Sequence, residues 1–195
     1  MRPQGDASVA LPARRPVVAT LTIRNPDGGP DVDKISPCLW FDGQAEEAAR
    51  FYTSLLPDSR IVSVDRSAAD TPSGPEGSVI TVEFTLGGRS FIGLNGGPDF
   101  KFTEAISLSI DCDDQAEVDR YWTALIDNGG EPSVCGWLKD RFGLSWQVIP
   151  RQLPEMLKSS DRAAAKRTME AMLKMTKIEV AELERAFAGD AVPVG

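Results

Sequence analysis

The feature that most limits what this chain can fold into is an internal repeat. "AEEAARFYTSLL" and "QAEVDRYWTALI" are both helical by period, and they align at an offset of seventy residues. Glu47, Arg50, Thr53 and Leu55 match Glu117, Arg120, Thr123 and Leu125, and Phe51-Tyr52 matches the aromatic pair Tyr121-Trp122. The strands before the helices align at an offset of seventy-one, with Ile35-Ser36 matching Ile106-Ser107. Self-similarity at a fixed offset marks duplicated structure. The chain is therefore expected to build one supersecondary unit twice.

The first unit reads β-α-β-β-β. "ISPCLWF" is strand-like, the helix follows, and "SRIVSVD" is strand-like again. "SVITVEFTL" and "RSFIGLN" then flank Gly87-Gly88, a hairpin signal. In the second unit "AISLSID" is a strand, the helix stops at Gly129-Gly130, and "EPSVCGWLK" and "LSWQVIP" are further strands. The division expected is a loose extension over 1–33, a first βαβββ module over 34–98, a second over 99–150, and a helical tail over 151–195. The extension is rich in Pro, Gly and Arg, has no small-residue cleavage pattern after its short apolar run, and is not read as an export signal. The tail carries a helix start at Ser160 or Asp161. Met169, Leu173, Val180, Leu183 and Phe187 then form a stripe expected to pack on the sheet or on a partner.

Composition narrows the chemistry. Histidine is absent from the 195 residues. That removes an imidazole base, a Cys–His or Ser–His dyad and any His-ligated metal. The net charge is −8, and it sits in the modules, where nine Lys and Arg face eighteen Asp and Glu over 34–150. Neither nucleic acid nor an anionic membrane is an expected partner. Cys38, Cys112 and Cys135 are odd in number and show no CxxC spacing, which fits a reducing cytoplasm better than a disulfide framework. No apolar run has the length needed to span a membrane.

Two βαβββ modules in tandem resemble the vicinal oxygen chelate superfamily of glyoxalases, extradiol dioxygenases and bleomycin-resistance proteins. "SPCLWFDGQAEEAARFYTSLLPDSRI", "GLNGGPDFKFTEAISLSIDC", "CGWLKDRFGLSWQVIP" and "RTMEAMLKMTKIEVAELERA" resemble its PhnB-like group, often labelled 3-demethylubiquinone-9 3-methyltransferase-like. The resemblance runs from Lys34 to about Ala188. It implies an α+β fold with a funnel-shaped sheet in each module, helices on the outer face, and pairing into a homodimer. It also implies four inward positions, which the superfamily's metal enzymes fill with His or Glu. Here they hold Ser36 (Pro37 by the helix offset), Ile92, Ser107 and Gln147. Isoleucine cannot ligate, and neutral Ser and Gln are poor donors for cations that prefer charged oxygen, thiolate or imidazole. No metal or other cofactor is expected.

Strand alternation puts Ser107 and Ser109 on one face and Ile106, Leu108 and Ile110 on the other. The Ser face is expected to line the funnel, with Ser36, Cys38 and Trp40 on its other side and Ser145 and Gln147 joining from the last strand. Such a lining suits a small organic molecule. "NGGPDFKFTE", between the modules, is either a lid carrying Lys101 over the cavity or a linker anchored by Phe100 and Phe102. Glu83 is a carboxylate base if its face is the funnel and a surface charge if it is not. Cys135, near Lys139 and Arg141, is a nucleophile without a base, or simply a small apolar residue. The methyltransferase label lacks a physical basis, because no strand–GxGxG–helix unit is present to take S-adenosylmethionine. The expected function is small-molecule binding without a metal. The alternatives are a glyoxalase-like lyase, isomerase or dioxygenase with an atypical metal site, or a dimerising interaction protein.

Overall fold

The computed structural model describes residues 35–71 and 73–190. The reading of residues 1–33 as an extension lies outside them. Two four-stranded sheets carry the fold. The first has β1 (Cys38–Phe41), β2 (Arg60–Arg66), β3 (Val79–Leu86) and β4 (Arg89–Asn95), in the order β1-β4-β3-β2. The second has β5 (Ser107–Cys112), β6 (Glu131–Pro132), β7 (Trp137–Lys139) and β8 (Ser145–Pro150), in the order β5-β8-β7-β6. In each sheet the first strand runs parallel to the last and the other pairs are antiparallel. The repeat in the sequence is thus a repeat in topology. Helices α1 (Ala45–Leu55) and α2 (Gln115–Ile126) occupy equivalent places.

Each helix buries one stripe. Ala45, Ala48, Ala49 and Tyr52 are buried on α1, and Val118, Tyr121, Trp122 and Leu125 on α2, the spacing an amphipathic helix needs. Asp114 caps α2, its carboxylate accepting from Glu117 N at 2.9 Å. Gly87 and Gly88 turn the β3–β4 hairpin at φ 53° and 76°, the left-handed pair that a two-residue turn requires.

The helix-bearing faces of both sheets share one hydrophobic core. At its centre Asp140, only 3% exposed, follows β7. Its carboxylate accepts from Tyr52 Oη at 2.7 Å, Trp146 Nε1 at 2.8 Å, Phe142 N at 2.8 Å and Leu144 N at 3.1 Å. Tyr52 comes from α1 and the other three donors from the second half, so one buried carboxylate ties the two halves together. Burial still raises its pKa, against the pull of those hydrogen bonds.

The structure corrects two expectations. "EPSVCGWLK" is not one strand. Cys135 (φ 57°) and Gly136 (φ 80°) break it into β6 and β7, which supplies the second unit's third strand. Ile106 does not pack on a helix: it precedes β5 and is 65% exposed. The tail folds as α3 (Gln152–Leu157), α4 (Arg162–Met172) and α5 (Val180–Ala188), with Asp161 capping α4 through Ala163 N and Ala164 N. The buried face of α4 is Ala164, Ala165 and Thr168, small residues that permit close approach, while Met169 and Leu173 stand exposed. Leu153, Met175, Ile178 and Leu183 form a separate small core.

Candidate functional site

The faces of the sheets away from the helices hold the candidate residues. On the second sheet, Ile110, Leu138, Trp146 and Val148 are buried against the core. Alternation therefore places Ser107, Ser109, Trp137, Lys139, Ser145 and Gln147 on the opposite face. Ser109 and Trp137 both stand opposite Gln147. Gln147 Nε2 donates to Ser107 Oγ at 2.9 Å, and both residues are half-buried.

On the first sheet Cys38 stands opposite Ile92, Ile92 opposite Glu83, and Glu83 opposite Ser63. The two halves differ in one respect. Ser36 is the repeat counterpart of Ser107, but Ile92 stands where Gln147 would be and offers no hydrogen-bonding atom. The buried Ser36 Oγ has no partner among the described residues. Glu83 is half-buried on this same face, and burial followed by the charge of Asp65 raises its pKa, partly offset by a hydrogen bond from Ser63. Of the two readings of Glu83, the structure places it on the open face, one strand from Ile92.

The four positions do not suit the metal that the fold family implies. Ser107 and Gln147 are neutral and already bonded to each other, and Ile92 has no donor atom. Among the described residues no three His, Cys, Asp or Glu side chains are grouped to hold a metal ion. No step is derived through one.

The connector is anchored by its aromatic residues. Phe100 meets Trp40 edge-on at 4.9 Å, and Phe102 meets Phe41 at 5.3 Å. Trp40 Nε1 donates to Gly97 O at 2.8 Å. Lys101 is exposed, beside a cleft that Trp40, Phe100 and Phe142 line. Cys38 and Ser109 are also exposed. No helix separates β4 from β5, so Asn95-Gly96-Gly97-Pro98 does not open a nucleotide-binding unit.

A cavity of about 440 Å³ lies at the β6–β7 edge of the second sheet, lined by Glu131, Val134, Cys135, Trp137, Lys139 and Ser145 among others. None of Ser36, Ile92, Ser107 and Gln147 lines it. Ser145 is 1% exposed, and its Oγ has no hydrogen-bond partner among the described residues. Lys139 Nζ reaches Glu104 at 2.5 Å on the rim. Sequence reasoning named Ser145 only as a neighbour of Gln147. Its isolation depends on what surrounds it in three dimensions.

The sequence model of the 3-demethylubiquinone-9 3-methyltransferase family matches residues 33–149. A solved PhnB protein of that description from Bacillus cereus is 38% identical, with a TM-score of 0.55. The match covers 60% of this chain and 99% of that one. PA1353 from Pseudomonas aeruginosa is 22% identical, with a TM-score of 0.47, over 61% and 98% of the two chains. Lactoylglutathione lyase from Agrobacterium tumefaciens is 17% identical, with a TM-score of 0.34, over 64% and 98%. No curated protein matches the chain. The family match ends before Gln152, so helices α3 to α5 lie beyond it, although the sequence resemblance runs to about Ala188. The chain belongs to the 3-demethylubiquinone-9 3-methyltransferase family, the PhnB-like group of the vicinal oxygen chelate superfamily.

Proposed function

We propose that this chain binds a small organic molecule without a metal, as a cytoplasmic homodimer. The observation that carries the reading is the Gln147–Ser107 hydrogen bond, a neutral pair at positions where the superfamily's metal enzymes place ligands. A neutral amide and hydroxyl can donate to and accept from an uncharged ligand. The homodimer is supported by the open faces. The shared core uses the helix-bearing sides of both sheets, so the two site faces point away from it. Ile35 and Ile106, repeat counterparts ahead of the edge strands β1 and β5, are 88% and 65% exposed. A second copy would cover both. Three free thiols fit a reducing compartment. Among the described residues, no helix is long and apolar enough to cross a membrane.

A thermal-shift screen across metabolites and antibiotics tests the binding reading, and a screen in which no compound raises Tm counts against it. Elemental analysis should find no tightly held zinc, nickel or iron. Light scattering should give twice the chain mass at micromolar concentration. A second, enzymatic reading draws on one observation, the half-buried Glu83 one strand from Ile92. It requires Glu83→Gln to abolish turnover of a substrate the protein still binds.

A further inference from the structure

The cavity at the β6–β7 edge has features that the family relationship does not account for. Its wall is the segment 133–137, which carries the positive-φ pair Cys135 and Gly136. Left-handed backbone at Cys135 is unfavourable by about 1–2 kcal/mol and must be held by its surroundings. The holders lie in the tail. Cys135 N donates to Met175 O and Gly136 N to Thr176 O, both at 2.8 Å. Met175 and Thr176 follow α4, outside the family match. The turn they belong to is fixed in its own right. Gln115 Nε2 donates to Ile178 O at 3.1 Å and Gln115 Oε1 accepts from Val180 N at 2.7 Å. Lys177 pairs with Asp119 and with Glu179. A Cβ on Gly136 would come within 3.0 Å of Ile178 Cγ1 and 2.9 Å of Val148 O, so the wall is packed tightly against the tail.

The lining indicates the ligand. An unpartnered buried hydroxyl is unfavourable by about 1–3 kcal/mol, which a ligand oxygen facing Ser145 would relieve. The indole of Trp137 supplies a flat apolar surface, and the exposed Val134 extends it. The cation at the rim, Lys139, is already paired with Glu104 and does not call for an anion. The volume is that of a small-molecule site.

We propose that this cavity is a pocket for an uncharged, largely apolar small molecule with one carbonyl oxygen, which accepts a hydrogen bond from Ser145 Oγ, and that the turn between α4 and α5 holds the pocket wall in shape. The proposal rests on the reading of the chain as a small-molecule binder and assigns that binding a place and a ligand class.

The probe is prodan, a neutral naphthalene with a single ketone whose emission moves to the blue when it leaves water. The full chain should show saturable blue-shifted emission. Ser145→Ala should raise the prodan Kd about tenfold, the worth of one hydrogen bond, while leaving the unliganded protein at least as stable. Alkylation of Cys135 with N-ethylmaleimide in a Cys38→Ser chain should abolish the signal, since Cys112 is buried with its thiol pushed up to about 12 and does not compete. Lys177→Ala should raise the Kd several-fold and speed hydrogen exchange at the Cys135 and Gly136 amides, which Ser145→Ala should not. No saturable binding by the parent chain overturns the pocket. So does binding indifferent to both Ser145→Ala and alkylation. Faster exchange at 135–136 with an unchanged Kd overturns the role of the tail. A hit in the thermal-shift screen alongside any of these failures leaves the binding function standing without this pocket.

Discussion

Tyr52→Phe is the most direct test of how the two halves are held together. The ring of Tyr52 keeps its place, with Trp146 at 5.2 Å and Phe142 at 5.8 Å, so the substitution removes only the hydroxyl. That hydroxyl donates to Asp140 across 88 positions of sequence, and Tyr52 and Asp140 are 0% and 3% exposed. A hydrogen bond to a charged group is worth about 1.5–3 kcal/mol, against about 0.5–1.5 for a neutral pair. Urea denaturation at pH 7 should therefore show a loss of about 1.5–3 kcal/mol with an unchanged m-value. The pH dependence sharpens the test. Burial raises the folded-state pKa of Asp140, so the folded protein holds this proton more tightly than the unfolded chain does. The parent protein's increment from this group is complete below the unfolded carboxylate value and is lost as pH rises through the folded one. Removing a donor to the ionised form raises the folded pKa further. The cost of Tyr52→Phe should thus shrink as pH falls through the folded pKa of Asp140, towards about 0.5–1.5 kcal/mol once Asp140 accepts as a neutral acid. A loss under about 0.5 kcal/mol at neutral pH, or one that does not shrink anywhere as pH falls through the carboxylate range, would mean that water already reaches Asp140 and that the carboxylate does not join the halves.

Other substitutions test the remaining elements. Gln147→Glu should weaken the fold by about 1–3 kcal/mol at pH 8 and by less at pH 5, because the half-buried carboxylate would have the Ser107 hydroxyl as its partner while Lys139, on the same face, is already paired with Glu104. It should gain nothing from added zinc or manganese, as read by denaturation with and without metal. Cys135→Gly should raise stability by up to about 1 kcal/mol in urea by relieving the left-handed backbone, whereas Gly136→Ala should cost at least that much. Asp161→Ala should cost about 0.5–2 kcal/mol, measured by thermal or urea unfolding, through loss of the cap on Ala163 N and Ala164 N.

What the sequence determined by itself was local or repeated. Both helices could be placed because their apolar spacing matches one helical face, and the β3–β4 turn because Gly87-Gly88 suits only a tight hairpin. The offset of about seventy between the two helices corresponds to two copies of one topology, and the absence of His by itself excludes imidazole chemistry. What only the tertiary structure decided depended on partners distant in sequence. The break at Cys135–Gly136 is held by carbonyls forty residues further on, which no window of local sequence contains. Asp140 follows a lysine and precedes an arginine, a surface-like setting, yet its donors include a tyrosine from α1. Glu83 needed the register with Ile92 to reveal its face. Met169 and Leu173 stand exposed, and the contact of α4 within the chain is made by Ala164, Ala165 and Thr168, because two helices can approach closely only where side chains are small. Periodicity records which residues share a face, but the direction that face points is set by what the rest of the chain packs against it.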